Sequence, residues 1–393
     1  MMGETMRKIC VVCGGNVMMP AAHLARMPIF QGCVPTPPEG TEVAPITWIA
    51  CASCGSAQVE TLPPETEIYQ AGHATGLGEA WARHHAALAQ FIKMEAQGAV
   101  VDIGGGSGTL ALAYRNAGGL ARWTVLEPNA LTAPDLPRDV DIAVGFLDEA
   151  SLKTLEPRTA VLCHVLEHIP ALNDAVATLA ACASLDRVIL AWPVLERWTA
   201  RGLAGALNFE HCTYLTVASL KALFSAEGWH VHGEAQWREN DTVFLSFARA
   251  APMRAHALHG SPRETIAMIA NYYSHFQITA LQIDRAVAMH RGTFFLMPAS
   301  VYTQTLLASG LKEKRFEAVL DNAPQKQGQR LYGTALQVLA PADALVTADN
   351  PLVVLNGGAH SAEIIRGLRT LREDVDILKV SEEAHDGATA SKV

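Results

Sequence analysis

A glycine cluster between an apolar run and a helical stretch constrains the fold of this chain more than any other feature. The run AVVDI (99–103) reads as a buried strand, GGGSG (104–108) follows, and LALAYRNAG (110–118) has helical spacing before a second strand, RWTVLEP (122–128). Glycine permits the sharp turn and the close backbone approach that other residues prevent. A strand, turn, helix and strand in this order open a doubly wound α/β domain with a ligand cleft at the turn.

Three regions of different composition divide the 393 residues. Residues 1–65 hold five of the eight Cys and show little helical periodicity. We therefore expect a small lobe that needs a bound metal or another cross-link to be stable. Residues 66–252 contain a helix at 81–97, the glycine cluster and alternating strands and helices, which predict a Rossmann-like domain. Residues 253–393 begin with a long helical stretch and return to α/β alternation, which predicts a second Rossmann-like domain with a short disordered tail from 382.

Charge and hydrophobic pattern argue against several classes of partner. The 30 Lys and Arg against 39 Asp and Glu give a formal net charge of −9, whereas proteins that coat nucleic acid or anionic membranes need a cationic face. No apolar run reads as a membrane span, and the N-terminus lacks the apolar core of a secretory signal. We expect a cytoplasmic protein, a monomer or small homo-oligomer, that acts on a small-molecule substrate.

Two Cys-x-x-Cys pairs, each followed by glycine, stand in the N-terminal region. A two-residue gap lets both thiolates of a pair face one ion, and two pairs complete the tetrahedral shell that zinc prefers in structural sites. The alternative is four unliganded thiols in a loose lobe. We favour a structural zinc ion with no open position, held by Cys10, Cys13, Cys51 and Cys54.

The glycine loop is followed by an acid at the end of the next strand, Glu127. A nicotinamide-type fingerprint needs a third glycine where this chain has Thr109, so the match to a dinucleotide loop is poor. The segments DIGGGSG and VLEPN instead resemble the S-adenosylmethionine loop of class I methyltransferases. The alternative is a packing turn with an incidental acid. The resemblance implies that Glu127 binds the ribose hydroxyls and that the other cofactor-binding residues are Asp102, Gly104, Gly105, Gly106, Gly108, Pro128, Phe146, Leu147 and His164.

Histidines near the predicted cleft leave several interpretations open. His164, Glu167 and His168 end the fourth strand of the central domain, where ligands bind in such sheets, although His168 before a helix also suits a surface position. His84 and His85 lie on the preceding helix, and we expect one to face the cleft and one to be solvated, rather than a metal pair.

A carboxylate beside an imidazole follows the fifth strand, in the segment NFEHCTY (208–214). Histidine titrates near neutrality and a general base works best close to the working pH, so Glu210 and His211 are candidates for proton transfer. A solvated Glu and a packed His are the alternative.

The chain as a whole resembles the deoxysugar C-methyltransferases, which act on nucleotide-linked 4-keto sugars. The two Cys-x-x-Cys pairs match the zinc lobe of that family, Glu210–Tyr214 matches its E-H-x-x-Y segment, and Asp321–Gly328 is similar to its D-x-x-P-x-K-Q-G segment. The resemblance implies that His211 removes the proton alpha to the ketone and that Glu210 helps to handle the enolate, with Tyr214 in the same catalytic segment.

Two departures from the family concern the substrate more than the methyl chemistry. Only Tyr69 remains of a tyrosine-rich stretch, where it matches a preceding aromatic, and His73 is the candidate substitute for the catalytic tyrosine. MPASVYTQTLLA (297–308) replaces a glycine-rich turn. The alternatives are an O- or N-methyltransferase on another small polar metabolite and a noncatalytic S-adenosylmethionine-binding partner in a biosynthetic complex.

Overall fold

A computed structural model describes residues 4–35, 37, 42–69, 78–129, 136–250, 260–356, 358–380 and 390–392. Sheets of four, seven and six strands lie in the three regions that the sequence distinguishes, together with two pairs of short strands. No helix in these ranges is long and apolar enough to cross a membrane.

The N-terminal part is built from antiparallel strands and one short helix. Its elements are β1 (Thr5–Met6), β2 (Met18–Pro28), β3 (Cys33–Val34), β4 (Val43–Cys51), β5 (Ala57–Val59), β6 (Thr61–Leu62) and α1 (Glu65–Ile68). Strands β2, β4 and β5 form one sheet, whose order continues to a two-residue strand of the central part, Thr213–Tyr214.

The central part alternates strands and helices as the sequence predicts. Its elements are α2 (Glu79–Glu95), β7 (Val100–Ile103), α3 (Thr109–Asn116), β8 (Trp123–Leu126), β9 (Val140–Ala143), α4 (Glu149–Leu155), β10 (Thr159–Cys163), a 3-10 turn (Leu166–His168), α5 (Leu172–Ala181), β11 (Arg187–Pro193), α6 (Leu195–Ala200), β12 (Thr213–Tyr214), α7 (Val217–Ala226), β13 (Trp229–Trp237) and β14 (Thr242–Arg249).

The seven-stranded sheet has the order β13-β14-β11-β10-β7-β8-β9. Strands β7 to β11 are parallel, and β14 runs antiparallel between β11 and β13. Strands β8 and β9 lie on one side of β7, whereas β10 and β11 lie on its other side. The direction of the strand order therefore reverses between the neighbouring strands β7 and β10. Ligands of open α/β sheets bind at the carboxyl ends of the strands at such a switch point.

Burial explains why these residues form strands. Every residue of β7 and β8 is buried, as expected for parallel strands with both faces covered by helices. Helix α2 covers one face with a buried stripe at helical spacing, which includes Leu88, Phe91 and Ile92.

The C-terminal part starts with the longest helix and forms the second α/β sheet, of order β18-β16-β15-β19-β20-β21. Its elements are α8 (Pro262–Met289), β15 (Phe294–Met297), α9 (Val301–Ala308), a 3-10 turn (Glu313–Arg315), β16 (Ala318–Leu320), β17 (Arg330–Leu331), β18 (Val338–Leu339), α10 (Pro341–Thr347), β19 (Leu352–Leu355), a 3-10 turn (Gly358–His360), α11 (Ser361–Leu371), β20 (Asp376–Val380) and β21 (Ala390–Lys392).

The last described residues form a strand, where the sequence predicts a disordered tail. Ala390–Lys392 pair antiparallel with Leu378–Val380 of β20. Without this pairing, β20 would be an edge strand with unpaired backbone groups, which readily accept another strand. The predicted domain boundary at 252/253 lies outside the described residues, and the boundaries stay predictions.

Helix α8 connects the N-terminal and central parts through two adjacent tyrosines. The indole N–H of Trp48 donates to the Tyr273 hydroxyl at 2.8 Å, and that hydroxyl donates to the Leu207 carbonyl at 3.1 Å. The Tyr272 hydroxyl donates to the carbonyls of Leu203 and Ala204. These bonds hold the segment that leads into Glu210 and His211.

The second cysteine turn packs against the start of α8. The Gly260 N–H donates to the Cys54 carbonyl at 3.0 Å, and the Thr265 hydroxyl donates to the Gly55 carbonyl at 2.7 Å. Gly55 has φ +73°, and a Cβ there would lie 2.4 Å from the Gly260 carbonyl carbon. Gly14, in the first cysteine turn, has φ +71° but no atom within 4 Å of its Cβ position.

We predict that Gly55→Ala destabilises the protein more than Gly14→Ala. Both variants suffer the cost of a left-handed alanine, roughly 1–2 kcal/mol, and only Gly55→Ala adds a clash with backbone, worth about 1–3 kcal/mol. Urea unfolding of the two variants beside the wild type measures the difference. Equal losses would contradict the packing of this turn on α8.

Candidate active site

The glycine loop turns at the carboxyl end of β7. Gly104, Gly106 and Gly108 have φ of +67°, +55° and +84°, where side chains are strained. A Cβ on Gly105 would lie 2.6 Å from a carboxylate oxygen of Asp102, which is buried at the strand end. Burial raises the pKa of Asp102 to about 7. The loop therefore packs closely against its neighbours, since a Cβ on Gly104 or Gly108 would meet Val165 or Leu136.

Glu127 lies directly against this loop. Its carboxylate accepts hydrogen bonds from the Gly106 N–H at 3.2 Å and the Asn129 N–H at 3.1 Å. Glu127 and Pro128 are both half-buried at the carboxyl end of β8. The structure thus brings the acid and the glycines together, and their cofactor contacts stay predictions.

Phe146 and Leu147 follow β9 on the same side of the sheet. Phe146 is 65% exposed, whereas Leu147 packs against the hydrophobic core. The contact of these two residues with adenine, which the resemblance implies, stays a prediction.

His164 turns the chain at the end of β10 with φ +52°, a rare conformation for a side-chain-bearing residue. Its Nδ1 lies 3.0 Å from a carboxylate oxygen of Glu167, and its Nε2 lies 3.3 Å from the Thr242 hydroxyl. Both ring nitrogens are therefore used within the protein, and the ring anchors Glu167.

Glu167, His168 and His211 form a compact cluster at the carboxyl end of β10. One ligand atom from each side chain lies within 4.8 Å of the other two, and the two imidazole rings are 4.7 Å apart. Burial alone raises the pKa of Glu167, but the hydrogen bond from His164 and the nearby His164, His168 and His211 outweigh it and lower the pKa. Glu167 is a buried carboxylate that favours an imidazolium beside it.

Glu210 and Tyr69 border this cluster. The Asn208 side-chain oxygen accepts the N–H groups of Glu210 and His211, each at 2.8 Å, which fixes the turn that presents both side chains. The Tyr69 hydroxyl lies 3.5 Å from Nδ1 of His168. Burial raises the pKa of Glu210 to about 8, and the backbone of Gln31 partly offsets it.

Tyr214, the last residue of the predicted catalytic segment, lies in the strand that pairs with the N-terminal sheet. Tyr214 is buried in β12 opposite Ala57 of β5, and burial raises its pKa. His73, the candidate substitute for the family's tyrosine, lies outside the described residues. The alternative that His168 is a surface residue is wrong, because its ring packs between Tyr69 and His211.

Arg7 joins the segments of His168 and His211 to the N-terminal part, and sequence reasoning missed it. Its guanidinium is buried and donates to the carbonyls of Val59, Pro170 and Cys212 at 2.9, 3.1 and 2.6 Å, and to the Thr213 hydroxyl. Pro170 follows His168 by two residues, and Cys212 follows His211. One side chain therefore fixes both histidine segments.

The four predicted metal ligands converge at the end of the N-terminal sheet. The sulfur of Cys10 lies 3.6 Å from that of Cys54, and the sulfur of Cys13 lies 3.6 Å from that of Cys51. In each turn the glycine N–H donates back to the first cysteine carbonyl, from Gly14 to Cys10 and from Gly55 to Cys51. The cluster has the composition and compactness of a tetrahedral thiolate site.

The central part is similar to a family of known proteins. Residues 74–233 match a protein family described as "Methyltransferase domain". This region is therefore similar to methyltransferase domains, and the α/β class I fold that the sequence predicts is confirmed. No curated protein has a matching sequence.

Several solved structures share parts of the fold. Mitomycin 7-O-methyltransferase is similar over 42% of this chain and 54% of its own, with 17% identity and a TM-score of 0.32. The magnesium protoporphyrin IX methyltransferase of Synechocystis PCC 6803, solved with bound SAH, is similar over 44% of this chain and 84% of its own, with 16% identity and a TM-score of 0.33. The chain spans about half the length of the first, and likenesses this distant carry no argument about substrate.

We predict that Glu127→Gln weakens S-adenosylhomocysteine binding by roughly 10- to 100-fold, because hydrogen bonds to a charged group contribute about 1.5–3 kcal/mol. Calorimetry measures the affinity. Glu149→Gln, an exposed residue of α4, is the matched control and should bind as the wild type does. An unchanged affinity in Glu127→Gln would remove Glu127 from the cofactor site.

We predict that Glu210→Gln flattens the pH dependence of stability. The folded-state pKa of about 8 exceeds the ordinary 4.5, so this carboxyl contributes stability below pH 4.5 that is lost as pH rises through 8. The variant should gain stability relative to the wild type, by up to a few kcal/mol, as pH rises from 5 to about 9. Urea unfolding across this range measures it, and parallel curves would contradict a buried, protonated Glu210.

Proposed function

We propose that the protein methylates the carbon alpha to the ketone of a nucleotide-linked keto-deoxysugar, with S-adenosylmethionine as methyl donor and His211 as general base. The observation that carries this proposal is the Glu167–His168–His211 cluster beside buried Glu210, at the carboxyl end of the sheet where the glycine loop also lies. Methylation at carbon needs a strong proton acceptor, because the C–H bond must first become an enolate.

The cofactor would be held by the glycine loop and Glu127, with Asp102, Pro128, Phe146, Leu147 and His164 around it. Bound there, it supplies an electrophilic methyl group on a sulfonium. The backbone of Gly104–Ser107 is half-buried, and Glu127 lies against the loop through its hydrogen bond from the Gly106 N–H. A positioned donor and acceptor convert a bimolecular reaction into an effectively unimolecular one.

His211 accepts the proton from the alpha carbon in this proposal. The imidazolium that forms is favoured by the buried Glu167 carboxylate, 4.8 Å or less away. The deprotonated carbon would then be the nucleophile for the methyl group that the cofactor supplies, and His211 would return its proton to solvent.

Glu210 has the protonation state that an enolate needs. With a pKa of about 8, its carboxyl is mostly protonated at pH 7, so it can donate a hydrogen bond to an oxygen that becomes negative. Burial of Glu210 is therefore useful next to the base, because the raised pKa keeps this carboxyl protonated. It supports the role that the resemblance gives to Glu210, and Tyr214 supports the same segment from β12.

We also propose that Cys10, Cys13, Cys51 and Cys54 hold one structural Zn²⁺. Sulfurs around a tetrahedral zinc at about 2.3 Å lie roughly 3.7 Å apart, close to the observed 3.6 Å for two pairs. The first cysteine turn binds α5 through the Asn173 N–H to the Val11 carbonyl, so the metal would hold the lobe on the catalytic domain.

The C-terminal part is proposed to bind the substrate in a cytoplasmic monomer or small homo-oligomer, without nucleic acid or membrane. Its D-x-x-P-x-K-Q-G segment is a rigid turn here: the Asp321 carboxylate accepts from the Ala299 N–H at 3.0 Å and from Lys326 Nζ at 3.1 Å. This turn packs next to the N-terminal part, where Glu42 and Arg330 form a buried bidentate ion pair.

We predict that the wild type, with S-adenosylhomocysteine in place of the methyl donor, exchanges the alpha proton of nucleotide-linked 4-keto-deoxysugars for deuterium in D₂O. His211→Gln should slow this exchange at least 100-fold, since general base catalysis contributes about 10²–10⁴-fold. Proton NMR of the sugar measures the exchange.

His23→Gln provides the control, because His23 is an exposed histidine of β2. It should exchange at the wild-type rate. Methyl transfer without exchange, or an undiminished rate in His211→Gln, would remove His211 as the base and favour methylation at oxygen or nitrogen.

A further inference from the structure

We propose that His84, His85 and Cys163 form a second metal site, for a divalent transition metal such as Zn²⁺. The three residues come from two elements: His84 and His85 are consecutive on α2, and Cys163 ends β10. One ligand atom from each lies within 4.8 Å of the other two. Ligands on a tetrahedral zinc are roughly 3.3–3.6 Å apart, so shifts of about 1 Å close the shell.

A metal ion at this site would bind a ring nitrogen of the buried His84. His84 has no exposed surface, and among the described residues neither of its ring nitrogens has a hydrogen-bond partner. It is surrounded by rings, with Trp81 at 5.1 Å and Phe244 at 5.3 Å. Burying a polar group without compensation costs about 1–3 kcal/mol on mutational scales, and a metal bond removes that cost.

The donor atoms suit metal binding. A metal binds the neutral imidazoles of His84 and His85 and the deprotonated thiol of Cys163, whose proton it displaces. Two imidazoles and a thiolate are a donor set that zinc and copper accept.

The neighbouring histidine is not a ligand of this site, because His164 uses its nitrogens on Glu167 and Thr242. Three protein ligands leave one coordination position, and His85 also lines a groove of about 420 Å³ between α2 and α3 from which water can fill it. A metal here would tie the first turns of α2 to the end of β10, beside the glycine loop.

The test is the metal content of the full chain, purified after expression with added zinc and analysed by inductively coupled plasma mass spectrometry. We expect two zinc ions per chain in the wild type. Cys163→Ser and His84→Gln should each reduce the content to one. The matched controls Cys182→Ser and His23→Gln, which alter residues outside both cysteine and histidine clusters, should keep two.

A Cys13→Ser variant separates this inference from the proposed zinc lobe. If the lobe fails to bind zinc, the wild type holds one ion and only Cys163→Ser and His84→Gln lose it, which still supports the second site. One ion that Cys13→Ser alone abolishes would overturn the inference, as would two ions retained in both Cys163→Ser and His84→Gln.

Cobalt substitution gives a readout that does not depend on the stability of His84→Gln. Co²⁺ at the proposed site adds a single-thiolate charge-transfer absorption to that of the four-cysteine site. Cys163→Ser, with unfolding checked by circular dichroism, should remove only this contribution. A wild-type spectrum identical to that of Cys163→Ser would contradict the site.

Discussion

The buried guanidinium of Arg7 is the interaction on which the arrangement of His168 and His211 depends. A charge taken out of water is costly unless hydrogen bonds compensate it. Here three carbonyls and one hydroxyl do so, from segments around residues 59, 170 and 212–213. Because these acceptors flank His168 and His211, the guanidinium holds both rings in one geometry. The N-terminal part is thereby a component of the candidate active site, although it contributes no base.

The sheet supplies the other constraint. Its switch point between β7 and β10 places the glycine loop and the turn of His164 to His168 at neighbouring strand ends, which is where the proposed function needs the methyl donor and the proton acceptor. Helix α8 holds the segment before Glu210, because the hydroxyls of Tyr272 and Tyr273 donate to backbone carbonyls of that segment. Three separate stretches of chain thus converge on one cleft through backbone carbonyls.

The sequence predicted the parts of this structure that have a local cause. The apolar runs and the glycine cluster predicted β7, α3 and β8 because strand burial, turn conformation and helical spacing are encoded within a few residues. It also predicted the convergence of the four cysteines from their spacing. The position of His168 stayed open, because its contacts with Tyr69 and His211 join residues 99 and 43 positions away.

Other features had no sequence signal. Arg7 reads as an ordinary surface charge beside Lys8, and the two-residue strand β12 is too short for a periodic pattern. Its pairing with β5, and that of Ala390–Lys392 with β20, depends on which strand edges the fold leaves open. The buried nitrogens of His84 are equally a product of packing, since the rings around it belong to α2, to His164 after β10, and to β13 and β14.

The most direct measurement is the position of the new methyl group. The full chain would be supplied with S-adenosylmethionine labelled with ¹³C in the methyl group and with nucleotide-linked 4-keto-deoxysugars, and the product examined by carbon–proton NMR. The account predicts a labelled methyl bonded to the carbon next to the ketone. A labelled methyl on oxygen or nitrogen would contradict it.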